Sequence, residues 1–139
     1  MEKRKFELNE LDDIAEDVIH KAQHKLIAFQ GDLGSGKTTL IKALIQAIGI
    51  QEQGSSPSFS LINVYENEKD RVYHCDLYRL DTYEEALDIG LEDYLADEES
   101  WCFIEWPEVV EFLLPKPYQM IKLNVNQKDE HFIEMKLID

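Results

Sequence analysis

Eight residues, Gly31-Asp-Leu-Gly-Ser-Gly-Lys-Thr38, restrict what this chain can fold into more than any other stretch. They match G-x-x-x-x-G-K-[ST] in full. A short apolar run at residues 26–29 leads straight in and reads as a buried strand. Leu40, Ile41, Ala43, Leu44, Ala47 and Ile48 lead out at helical spacing, and Gly49 is placed to end that helix. Strand, glycine loop and helix in this order bring backbone N–H groups and a helix N-terminus to one point, which is how a phosphate is held. Glycines at 31, 34 and 36 permit the positive φ and close approach this needs. The chain is therefore expected to bind ATP with Mg²⁺ through residues 31–39. In that reading Gly34, Ser35, Gly36, Lys37, Thr38 and Thr39 contact the cofactor. Lys37 reaches the β- and γ-phosphates as a point charge, the Thr38 hydroxyl ligates Mg²⁺, and Thr39 serves the α-phosphate region.

Such a loop requires a carboxylate to complete the metal shell and orient a water. Two acids stand at the carboxyl ends of expected strands, where ligands of open α/β sheets lie. Asp76 falls in the strand expected at 72–77, and Glu105 directly follows the one at 101–104. Both can face the phosphates on spacing alone.

The remaining pattern gives the fold class. A helix is expected over Leu11, Ile14, Ala15, Val18, Ile19 and Ala22, with Asn9 and Asp12 as its cap. Strands at 61–65 and 72–77 flank a polar turn, a hairpin signature. Thr82 and Glu85 form a capping box for a helix that Gly90 closes. A short helix at 109–114 stops at Pro115, and alternating runs at 119–125 and 132–138 suggest a terminal antiparallel pair. The sum is an α/β, single-domain P-loop NTPase-like three-layer fold with a mixed central sheet. With 139 residues, 44% of them hydrophobic, and no repeat or linker, residues 1–139 are expected to form one domain.

Charge narrows the partners. Twenty-nine acidic residues against 14 basic ones leave −15, and Arg4, Arg71 and Arg79 are the only arginines. Such a surface repels a bare polyanion, so stand-alone nucleic-acid binding is not expected, whereas a basic protein partner is favoured. No apolar run is long enough to span a bilayer, and no apolar stretch follows the basic start of the chain. A cytoplasmic protein is expected, with Cys75 and Cys102 as reduced, buried thiols. His20 and His24, at i and i+4, lack a third ligand and read as a solvated pair. His74 shares a strand face with Asp76, as a core histidine or as a partner of the site.

Five segments together resemble the bacterial TsaE (YjeE) family of tRNA threonylcarbamoyladenosine biosynthesis proteins. They are the glycine loop through Thr39, Ser56-Pro-Ser-Phe59, His74-Cys-Asp-Leu-Tyr-Arg-Leu80, Gly90-Leu-Glu-Asp-Tyr94 and Ile104-Glu-Trp-Pro107. The resemblance implies a weak ATPase acting with the TsaB–TsaD pair, which places threonylcarbamoyl on the adenosine beside the anticodon. It implies that Lys37 holds phosphates, that Thr38 and Glu105 organise Mg²⁺, and that Asp76 lies near the metal or the water. It also implies that Trp106 lines the site and that Ser58 occupies a switch-like loop where the family has threonine. Residues 55–60 and the region of Tyr78 and Arg79 are the switch candidates. Rival readings are a small-molecule kinase, a guanine-specific switch protein and an adaptor that binds ATP without hydrolysing it. The first lacks an arginine-rich lid, and the second lacks an Asn-Lys-x-Asp element.

Overall fold

The computed structural model describes residues 1–32, 34–51 and 61–139. Its strands and α-helices are β1 (Arg4–Phe6), α1 (Leu11–Lys21), β2 (Leu26–Gln30), α2 (Lys37–Ile48), β3 (Ile62–Glu66), β4 (Arg71–Asp76), α3 (Tyr83–Asp88), α4 (Leu91–Leu95), β5 (Trp101–Glu105), β6 (Tyr118–Val125) and β7 (His131–Ile138). The strands form one sheet in the order β1-β7-β6-β2-β5-β4-β3. In its middle β6, β2, β5 and β4 run parallel. Antiparallel β3 closes one side, and β7 with β1 the other. This is the mixed α/β sheet expected from the sequence.

Helices cover both faces. Ile14 and Val18 of α1 and Leu40, Ile41 and Leu44 of α2 pack on Ile27, Phe29, Phe103 and Ile121. On the opposite face Ala86 of α3 and Leu91 of α4 pack with Ala28, Cys75, Ile104 and Met120. Strand alternation decides which side chain meets which helix. Val72 of β4 and Trp101 and Phe103 of β5 join the α1–α2 face, so His74, Asp76 and Glu105, at even spacing from them, are directed the same way. That parity is what brings the acids toward α2.

Several local expectations change. The helix at residue 11 is preceded by a 3₁₀ turn, Leu8–Glu10, in which the Glu7 amide donates to Glu10 Oε1 at 2.8 Å, so Asn9 and Asp12 are not its cap. Gly90 closes α3 from the position after its C-cap, at φ +81° and with its N–H donating to the Leu87 carbonyl at 3.0 Å, but it is also the N-cap of α4, a helix the periodicity did not reveal. The helix expected at 109–114 is two 3₁₀ turns, Pro107–Val109 and Glu111–Leu113, because Val110 leaves the helical basin at φ −123°, ψ 9°. His24 lies beyond the end of α1, so it and His20 do not share a helix face. Both cysteines are free and buried. Among the described residues, no helix is long and apolar enough to cross a membrane.

One polar contact ties β4 to the α4–β5 connection. Tyr73 Oη donates to Asp97 Oδ2 at 2.7 Å, and Ser100 Oγ donates to the same oxygen at 2.8 Å. The Tyr73 bond first, then that of Ser100, holds the Asp97 carboxyl below its ordinary value. A depressed carboxyl adds stability that is present above its unfolded pKa of about 3.9 and is lost as pH falls through the folded value. Tyr73→Phe is therefore expected to lower the urea midpoint near pH ~7, with the gap closing near pH ~2. A gap of the same size at both pH values would assign the effect to packing instead.

Candidate functional site

The loop between β2 and α2 and the ends of β4 and β5 enclose a cavity of about 320 Å³. Gly34, Ser35, Gly36, Lys37, Thr38, Thr39, Asp76 and Glu105 all line it, as do Asp32, Tyr78 and Trp106. The structure thus brings the nominated loop residues Gly34 to Thr39 together with the two nominated acids, Asp76 and Glu105. Residues 55–60, including Ser58, lie outside the described residues. Arg79 is exposed.

Glycine is needed in this loop for two different reasons. A Cβ on Gly31 would stand 2.7 Å from the Leu123 carbonyl oxygen and 2.7 Å from Ser35 Oγ, so the chain passes too close to β6 for any side chain. Gly36, immediately before α2, has φ +97°, a left-handed conformation that L side chains rarely adopt. Starting the helix there leaves its first N–H groups directed at the cavity.

Two contacts hold the carboxylate at the end of β5, one from the loop helix and one from β4. Thr38 Oγ1 donates to Glu105 Oε1 at 3.0 Å, and His74 Nε2 lies 2.6 Å from Glu105 Oε2. Glu105 is only 2% exposed. Burial resists its ionisation, but the hydrogen bond with His74, that from Thr38 and the Lys37 charge outweigh it and hold the carboxyl below the usual range. Asp76 is different. It pairs in register with Glu105 across β4 and β5 but is exposed, and its Oδ1 accepts the Tyr78 amide at 3.2 Å. The two acids, equivalent on spacing, are a buried, hydrogen-bonded carboxylate and an open one at the rim.

Lys37 is 5% exposed, and its ammonium donates to the Gly31 carbonyl at 2.5 Å. Burial pushes its pKa below the ordinary lysine value, against the pull of Glu105, Glu108, Asp76 and Asp32. The ammonium also lies 3.4 Å from the centroid of the Trp106 ring. Sequence reasoning missed this contact, because the left-handed backbone of Trp106, φ 57°, leaves no local signature.

The fold and loop define a P-loop NTPase-like α/β protein. The crystal structure of Bacillus subtilis YdiB superimposes on it with a TM-score of 0.76 and 26% identity, covering 99% of this chain and 87% of that one. A family model described as "Threonylcarbamoyl adenosine biosynthesis protein TsaE" matches residues 6–134, and the chain belongs to this family. Among similar proteins is the tRNA threonylcarbamoyladenosine biosynthesis protein TsaE of Haemophilus influenzae, 36% identical over 76% of this chain and 66% of its own length. Those of Rickettsia bellii and Bacillus subtilis are 36% and 33% identical, over 77% and 78% of this chain and 72% and 66% of theirs. The chain thus spans about two thirds of the length of the Haemophilus influenzae and Bacillus subtilis proteins.

Proposed function

We propose that the protein binds ATP with Mg²⁺ in the cavity between the glycine loop and β5, hydrolyses it slowly, and supports threonylcarbamoylation of tRNA adenosine together with TsaB and TsaD. The observation that carries the reading is the Thr38–Glu105 hydrogen bond. It places a hydroxyl and a buried carboxylate, two hard oxygen ligands of the kind Mg²⁺ takes, 3.0 Å apart beside Lys37. The site also fits a polyphosphate. Ser35 Oγ is buried without a hydrogen-bond partner among the described residues, as a group awaiting a ligand would be.

Each residue then has a separable task. The N–H groups at the start of α2 and the Lys37 ammonium bind phosphate oxygens. Thr38 and Glu105 would hold Mg²⁺, which supplies charge neutralisation on the phosphates when bound. His74 fixes the rotamer of Glu105 through its second oxygen. Asp76, open to solvent at the rim, is suited to orient water. Family membership supports the tRNA modification role. The net charge of −15 favours protein contacts over direct tRNA binding.

ATP hydrolysis by the purified protein with Mg²⁺, alone and with purified TsaB–TsaD, tests the assignment. Slow turnover that rises with the pair, and that drops about a hundredfold in Lys37→Ala, is expected. Consumption of ATP only on addition of a small-molecule acceptor would instead indicate a kinase. Binding without any response to the pair would remove the proposed client.

A further inference from the structure

The backbone of Trp106 is unusual. It sits at φ 57°, ψ 59°, between buried Glu105 and Pro107, in a region that bulky side chains seldom occupy. A residue before proline ordinarily takes an extended conformation. An outlier of this kind persists only where surrounding structure holds it, and such outliers cluster at functional sites. Here the turn lays the indole across the mouth of the loop. The Tyr78 ring packs on it at 5.0 Å between centroids, and the Lys37 ammonium lies 3.4 Å from the ring centre. That is well inside the ~6 Å at which an aromatic face attracts a cation, and tryptophan is the strongest such face.

We propose that Trp106 is the positioning residue for Lys37, resting on the reading of the loop as a phosphate cradle. An ammonium has three donors. One goes to the Gly31 carbonyl, a second is spent on the indole face, and the third is left for an anion in the cavity. A flexible four-carbon side chain is thus held in its binding geometry before the ligand arrives. The ordering entropy is met in folding rather than in binding. The negative ring face also offsets desolvation of the buried charge without adding an anion that would repel phosphate, as a carboxylate in the same place would. The ligand class this arrangement serves is a polyphosphate.

The test uses inorganic pyrophosphate and calorimetry in the absence of metal, so that metal coordination and hydrolysis do not enter. Trp106→Leu is expected to weaken binding about tenfold and Trp106→Phe to fall between it and the unaltered chain. Trp106 is then replaced by mono-, di- and trifluorinated tryptophan, in a Trp101→Phe background that leaves 106 the one labelled position. Fluorination preserves ring shape while draining its negative face, so affinity is expected to decline stepwise with fluorine number. A purely structural role for the ring would leave the fluorinated series flat. Flat affinity across that series, or a leucine as good as tryptophan, overturns the role of Trp106 alone. Absence of pyrophosphate binding by the unaltered chain overturns the phosphate reading and this role together.

Discussion

Glu105→Gln is expected to lower Mg²⁺-dependent ATP hydrolysis by at least about a hundredfold while leaving metal-free ATP binding nearly unchanged. The substitution keeps the size of the side chain, and the amide oxygen can still accept from Thr38. What it removes is the negative charge, and with it the carboxylate that would hold Mg²⁺. The carboxyl is held below the usual range although burial opposes its ionisation, so it is charged throughout the neutral pH range. A glutamine would leave Thr38 as the only other nominated protein ligand. Hydrolysis assays at saturating ATP over a Mg²⁺ titration, beside calorimetric binding without metal, separate the two effects. Turnover within about threefold of the unaltered protein would take Glu105 out of the role and shift attention to Asp76.

Phe103→Ala carries the largest expected cost in stability, about 3–5 kcal/mol. Phe103 is fully buried in β5 between β2 and β4. Its ring meets Phe29 edge-on at 5.7 Å and Trp101 at 6.0 Å, in the same cluster as Leu40, Ile41 and Leu44 of α2. Truncation leaves a cavity where strand and loop helix meet, and backbone on both sides restrains its collapse. Phe103→Leu, which keeps most of the volume, should cost less than half as much. Urea denaturation of the three proteins checks the ordering. A loss below about 1 kcal/mol for alanine would mean the cluster closes over the gap. Since Phe103 shares its face with Glu105 two residues on, the alanine variant also loosens the Thr38–Glu105 contact, which the leucine variant should preserve.

What could be read without the fold is local. The β2–loop–α2 unit follows from glycine spacing and from a change of apolar period within about 20 residues, all settled by neighbours in the chain. The hairpin of β3 and β4 is legible for the same reason, with Asn67 Oδ1 accepting the Lys69 and Asp70 amides in its turn. β1 is not legible. It has three residues and one buried side chain, and it exists because β7 pairs with it more than 120 positions away. The break at Val110 and the short α4 likewise depend on what they pack against rather than on period.

The candidate site divides along the same line. By itself the sequence determined the glycine loop, Lys37, Thr38 and the nomination of Asp76 and Glu105, because the chemistry of those residue types is carried by short spacing. Tertiary structure decided which acid is buried against Thr38 and His74 and which stays at the rim, since that depends on the β4–β5 register and on the face α2 covers. It alone decided that the indole of Trp106 lies over Lys37. A left-handed residue at the end of a central strand is a consequence of packing, and no periodicity encodes it.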